Sequence, residues 1–155
     1  ATLQTASLTP DVWKVVGPFP ATSMAAALTT AFPPEAGGTV DWQVVRPAAG
    51  GYVDLAALHG DKGANSASYA VLTVDSPADQ DAVVLLGTDD AARLSVNGVE
   101  AYRFDGTRAA KPDQAQVPVK LTKGANTLLL KVANGANPHG FYLTVTSPQE
   151  LKVVK

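Results

Sequence analysis

The chain has 155 residues, enough for one domain that buries roughly 68–70% of its unfolded surface. Twelve basic against fourteen acidic residues leave a net charge of −2 with no basic block, which argues against nucleic acid or an anionic membrane as partner. Cysteine is absent, excluding disulfide scaffolds, thiol catalysis, Cys-ligated zinc and covalent haem attachment, and no apolar run approaches the ~20 residues that span a bilayer. The chain begins at Ala1 rather than Met, as expected of a processed or excised chain. Only Glu35, Glu100 and Glu150 among the fourteen acids are Glu; the rest are Asp. Because Asp prefers turns and caps and Glu prefers helix interiors, this balance predicts strands joined by turns.

Residues 1–65 read as irregular. Val12–Val16 predicts a short strand, stopped by Gly17-Pro18-Phe19-Pro20. Ala21–Ala31 is Ala-rich, with Met24 and Leu28 four apart, which predicts one or two helical turns and is the one helical candidate; Pro33-Pro34 ends them. From Ser66 the pattern alternates with period two. Ala70, Leu72 and Val74 share one face of a strand, and Ala82–Gly87 is apolar on both faces, as in a central strand. Leu94 and Val96 alternate with Arg93 and Ser95. Asn97-Gly98 then predicts a type I′ hairpin, which needs φ > 0 at both central residues, returning through Val99–Phe104. Val117, Val119 and Leu121 form the next strand face, Lys123–Asn126 the next turn, and Leu128, Leu130, Val132 and then Phe141, Leu143, Val145 the last two faces. Such spacing without βαβ alternation predicts a single all-β sandwich of about eight to ten strands, regular and antiparallel over 66–147.

If successive strands alternate in direction, parity sorts their connections. Ser76–Gln80, Asn97-Gly98 and Thr122–Ala125 fall at one end, and all are tight. His59–Ser66, Thr88–Ala92, Asp105–Gln114 and Asn134–Gly140 fall at the other, and they carry His59, Asp61, Asp90, Arg108, Asn137 and His139. Longer loops on a rigid scaffold tend to hold binding residues, which makes that polar end the expected site.

Several motifs occur in a telling order: Trp13-x-x-x-Gly17-Pro18-Phe19-Pro20, Phe32-Pro33-Pro34-Glu35, Gly87-Thr88-Asp89-Asp90 and Val96-Asn97-Gly98. Leu121-x-Lys123-Gly124-x-Asn126-x-Leu128-Leu129-Leu130-Lys131-Val132-x-Asn134-Gly135 and Gly140-Phe141 follow. With this combination the chain resembles the galactose-binding-like β-sandwich (jelly-roll) domain, an accessory module of extracellular bacterial glycoside hydrolases and related multidomain proteins. The resemblance spans nearly the whole chain. It implies jelly-roll topology, a secreted or periplasmic multidomain parent, and either a carbohydrate-binding module or a domain bracing a catalytic neighbour. His139 stands where members often carry an aromatic.

The candidate chemistry favours binding over catalysis. Asp89-Asp90 fits a strand-end turn, a calcium or ligand contact, or half of a glycosidase acid/base pair; adjacent strand residues point to opposite faces, so turn-shaping leads. His59 and His139 lack zinc-ligand spacing, and no Gly-x-Ser-x-Gly elbow offers a hydrolase nucleophile. Trp13 belongs to a core face, whereas Trp42, in Val40-Asp41-Trp42-Gln43, is either buried under its loop or a stacking platform for a sugar. Tyr102 and Tyr142 fall on outer sheet faces. Arg93 either pairs with Asp89-Asp90 or reaches a ligand. No cofactor is required; a structural calcium ion is compatible with the abundant oxygen ligands, although no EF-hand spacing occurs. The expected function is a non-catalytic module that binds a polysaccharide or glycan through Trp42, His59, Asp61, Asp90, Arg93, Arg108, Asn137 and His139. The alternative is a ligand-free domain whose partner is the neighbouring domain of its parent protein.

Overall fold

Period-two alternation gives each strand one apolar face, and two antiparallel sheets bury those faces against each other. The computed structural model describes residues 3–136 and 138–154, without the side chain of Asp61. One sheet has five strands: β1 (Ala6–Leu8), β11 (Gly140–Ser147), β6 (Gln80–Asp89) and β9 (Ala115–Leu121) in that order, with β4 (Val53–Asp54) also paired to β11. The other has seven: β3 (Gln43–Val45), β2 (Trp13–Pro20), β5 (Ser66–Ser76), β10 (Gly124–Asn134), β7 (Ala91–Val96) and β8 (Val99–Phe104), with β12 (Lys152–Val153) also on β5. The twelve strands among the described residues exceed the eight to ten expected because β1, β3, β4 and β12 have two or three residues each, too few to leave a period.

The core between the sheets holds Leu72, Leu94, Leu130 and Val132 from the larger sheet and Val84, Leu86, Leu143 and Val145 from the smaller. Trp13 is buried there, edge-on to Phe141 with ring centroids 5.1 Å apart. Tyr102 pairs with Leu94 and packs against this core, so it faces inward rather than outward. Asn97 and Gly98 take φ of 51° and 81°, as the hairpin requires.

Three local expectations are corrected. First, β2 does not stop at Gly17-Pro18; it runs to Pro20 with a register irregularity between Val16 and Phe19. Gly17 makes this possible, because a Cβ there would lie 3.0 Å from the Ser68 backbone and its φ is 136°. Second, Pro33-Pro34 does not end the Ala-rich helix: α1 (Met24–Thr29), within the one or two turns expected, stops at Thr29 and is capped by the Ser23 hydroxyl on Ala26 N–H at 3.0 Å. Third, Pro33-Pro34 begins a helical turn, α2 (Pro33–Ala36), because proline lacks only the N–H that a first turn leaves unbonded anyway. A further short helix, α3 (Leu55–His59), was not legible as a helix at five residues.

Helix α1 lies on the outer face of the larger sheet. Ala67, Ala133 and Ala91 are successive register partners across β5, β10 and β7, and with Ala27 and Leu28 of α1 they form a second, fully buried cluster. Three methyl side chains in a row let the helix approach the sheet closely.

Candidate functional site

The polar loop end forms as parity predicts, but its side chains bind one another. The His59 and His139 rings lie 5.6 Å apart, and His59 Nε2 sits 2.7 Å from Ser68 Oγ. Burial, reinforced by His139, lowers the His59 pKa to about 4. His139 is buried, and its carbonyl accepts hydrogen bonds from Leu55 N–H (3.0 Å) and Ala56 N–H (3.2 Å) at the start of α3. The Asp90 carboxylate accepts from the backbone N–H groups of Arg108 (3.2 Å) and Gly135 (3.3 Å). Arg108 in turn donates through Nε to Thr88 O (2.9 Å) and through Nη2 to Thr88 Oγ1 (2.7 Å), with its guanidinium 3.9 Å above the Phe104 ring.

These contacts tie three loops together, the turn-shaping role of side chains that hydrogen-bond backbone groups. Burial, followed by the neighbouring Asp90 carboxyl, pushes the Asp89 pKa up to about 7. Beside them Tyr52, 5.0 Å from the Tyr142 ring, is pushed up to about 12 by burial and then by Asp54 and Asp89. Asn137 and the side chain of Asp61 lie outside the described residues.

Trp42 and Arg93 are not at that end. Both belong to the outer face of the seven-stranded sheet. Arg93 pairs with Glu35 (3.3 Å) and with Glu100, not with Asp89-Asp90. It belongs to a cross-strand row in which Tyr69, Lys131, Arg93 and Arg103 are successive partners. Glu35 of α2 closes over this row: it accepts from the Tyr69 hydroxyl at 2.7 Å and meets Lys131 Nζ at 2.7 Å. Lys131 also donates to Thr30 O at 2.6 Å. Its side chain is only 2% exposed, and burial lowers its pKa against the opposing pull of Glu35.

The next row is open. Val44, Lys14, Val71, Leu129, Ser95 and Glu100 are successive partners from β3 across to β8. Two depressions share this row as their floor. One, of about 390 Å³, lies where β2 begins and β12 takes over the edge of β5; the half-buried Trp42 lines it with Lys14, Val44, Arg46, Thr73 and Val154. The other, of about 440 Å³, lies beside α2 and is lined by Glu35, Arg93, Ser95, Leu129 and Lys131. Val71 of the first and Leu129 of the second are direct register partners, so the depressions adjoin. Sequence reasoning singled out Trp42 and Arg93 but missed Lys14, Arg46, Glu35 and Lys131. The lone charge in Leu128-Leu129-Leu130-Lys131-Val132 was the available signal.

Solved structures share this arrangement of sheets. An FMN-binding beta-glucuronidase from Faecalibacterium prausnitzii L2-6 superposes with a TM-score of 0.59 at 15% identity, over 92% of this chain and 22% of that one. The fold is an antiparallel two-sheet β-sandwich. A GH2 beta-galacturonidase from Eisenbergiella tayi gives a TM-score of 0.57 at 11% identity, over 97% of this chain and 25% of that one. A beta-glucuronidase from an uncultured Clostridium sp. gives 0.54 at 11% identity, over 94% and 29%. The chain therefore spans between a fifth and a third of the length of the chains it matches. No family model and no curated protein sequence matches it. No described helix is long and apolar enough to cross a membrane.

Proposed function

We propose that this jelly roll is a non-catalytic carbohydrate-binding module of a larger secreted protein, and that it holds polysaccharide on the outer face of its seven-stranded sheet. The carrying observation is Trp42, half-buried in a groove that also presents Val44, Val71 and Val154 as apolar surface and Lys14, Arg46 and Thr73 as hydrogen-bonding groups. A mostly apolar concavity with a few placed polar groups is the usual composition of a ligand site, and an indole face suits the C–H side of a sugar ring. At the loop end, by contrast, Asp90 and Arg108 are already engaged with backbone and with Thr88. Both Asp90 carboxylate oxygens are taken up by backbone N–H groups, which suits turn-shaping rather than one half of a glycosidase pair.

The test is affinity electrophoresis of the chain and its Trp42→Ala variant through a panel of polysaccharides, with calcium and again with chelator. Retardation by at least one polysaccharide, lost in Trp42→Ala at unchanged melting temperature, supports the reading. Retardation that survives Trp42→Ala but not Arg108→Ala moves the site to the loop end. A second reading has its own observation: Val44 is 62% exposed and Val154 47% exposed at the same sheet edge, a surface that a neighbouring domain of the parent protein could cover. No retardation by any polysaccharide favours that bracing role.

A further inference from the structure

The charge on the outer face runs against the charge of the molecule. The chain as a whole carries fourteen acidic and twelve basic residues. The two adjoining depressions are lined by Lys14, Arg46, Arg93 and Lys131 against Glu35 alone. Lys131 and Glu35 neutralise each other at 2.7 Å, and the excess outside any ion pair sits on Lys14 and Arg46. Arg93 shares Glu35 and Glu100 with its neighbours. Lys14 and Arg46 make no ion pair among the described residues. Both line the same depression as Trp42, so this indole shares its groove with two cations outside any ion pair among the described residues.

The floor is equally specific in shape. It follows one cross-strand row from Val44 on β3 to Ser95 on β7, four strand intervals of about 4.8 Å, or roughly 19 Å. Its middle is Val71 and Leu129, with no charge. A length of this kind exceeds a single sugar and fits several consecutive residues of an extended chain lying perpendicular to the strands.

Resting on the carbohydrate-binding reading, we infer that the trough takes an internal stretch of a linear acidic polysaccharide, one bearing carboxylates on its sugars. Lys14 and Arg46 meet a carboxylate beside the ring stacked on Trp42, and Arg93 meets another at the far side of the Val71–Leu129 floor. Charge-assisted hydrogen bonds to carboxylate are stronger than neutral ones, and Arg can form them in pairs.

The experiment measures binding of the 155-residue chain to polygalacturonate, to the same polymer after chemical reduction of its carboxyls, to monomeric galacturonate, and to a single-stranded oligonucleotide. Lys14→Gln/Arg46→Gln is compared with Lys62→Gln, a charge change at the other, loop-end surface. The expected result is binding to polygalacturonate, loss of it on carboxyl reduction, and far weaker binding of the monomer. Lys14→Gln/Arg46→Gln should weaken binding roughly tenfold, about 1.4 kcal/mol, as two partly exposed charge contacts would, and Lys62→Gln should not. Equal affinity for the reduced polymer, an equal effect of Lys62→Gln, or binding confined to neutral polysaccharides overturns the inference while leaving the carbohydrate-binding reading intact. Binding to the oligonucleotide with the same dependence on Lys14 and Arg46, and none to polygalacturonate, reassigns the trough to nucleic acid. Failure of every polysaccharide, neutral or acidic, removes the carbohydrate-binding reading itself.

Discussion

Glu35→Ala should destabilise the fold more than any other single exposed-face substitution. Glu35 holds three partners: the Tyr69 hydroxyl at 2.7 Å, Lys131 Nζ at 2.7 Å and Arg93 Nη1 at 3.3 Å. Lys131 and Glu35 are 2% and 14% exposed, so alanine strands a buried ammonium whose remaining acceptor is Thr30 O. Breaking a buried pair costs about 3–5 kcal/mol; the residual exposure of Glu35 favours the lower end, and the lost phenol bond adds about 1 kcal/mol. A total of about 4 kcal/mol corresponds to a fall of roughly 8–16 °C in melting temperature for a chain of this size. Urea denaturation with linear extrapolation measures it. Glu35→Ala/Lys131→Met should recover most of the loss, because the stranded charge is gone and an apolar side chain fills its place. A cost below about 1 kcal/mol for Glu35→Ala, or a double variant no more stable than the single one, refutes this account of the network.

Two pH effects follow from the loop end. The His59 pKa lies at about 4 against an ordinary 6.5, so its contribution is present above pH 6.5 and is lost as pH falls through 4; His59→Gln should abolish about 2–3 kcal/mol of that acid-side loss in pH-dependent urea melts. Asp89 is raised from 3.8 to about 7, so its contribution is present below pH 3.8 and is lost as pH rises through 7. The advantage of Asp89→Asn over the parent should grow across that window to about 1–2 kcal/mol, discounted for solvent access; a pH-independent difference would falsify the assignment. Asn126 is fully buried, accepts from Thr122 N–H (2.9 Å) and donates to Thr122 O (2.8 Å) and Gly124 O (2.9 Å). Asn126→Ala should cost about 2–4 kcal/mol by leaving these groups unpaired, measured by thermal melting. Ala133→Leu should cost about 1–3 kcal/mol by overpacking the seat of α1, with new proteolytic cleavage between residues 21 and 36 as the readout that localises it.

What was legible in the sequence was local. The Asn97-Gly98 hairpin, the Lys123–Asn126 turn and the alternating faces from Ser66 onward each depend on residues within a few positions of one another. The gathering of four loops at one end followed from counting strands. That Arg108 is held by Thr88, and the Arg108 amide by Asp90, was not accessible, because it depends on how two loops overlap in space. The open face was harder still. Glu35 and Lys131 meet only because α2 folds back over β10, and β3, whose three residues carry no detectable period, brings Val44 beside Lys14. Trp42 could be recognised as a possible platform, but its cationic neighbours depend on that pairing and on β12.

The row from Val44 to Ser95 crosses the sheet along its hydrogen-bonding direction, and sheets are not flat. Neighbouring strands are rotated by about 20–25° on average, so four intervals turn the floor through roughly 80–100° between its ends. A ribbon-like polymer that keeps one face toward the protein could touch only part of such a surface. A chain with its own helical pitch could follow it, and the groups it offers at Trp42 and at Arg93 would point in nearly perpendicular directions. Discrimination between polymers of identical composition would then come from their screw, set by backbone geometry that no side-chain substitution in the floor can alter.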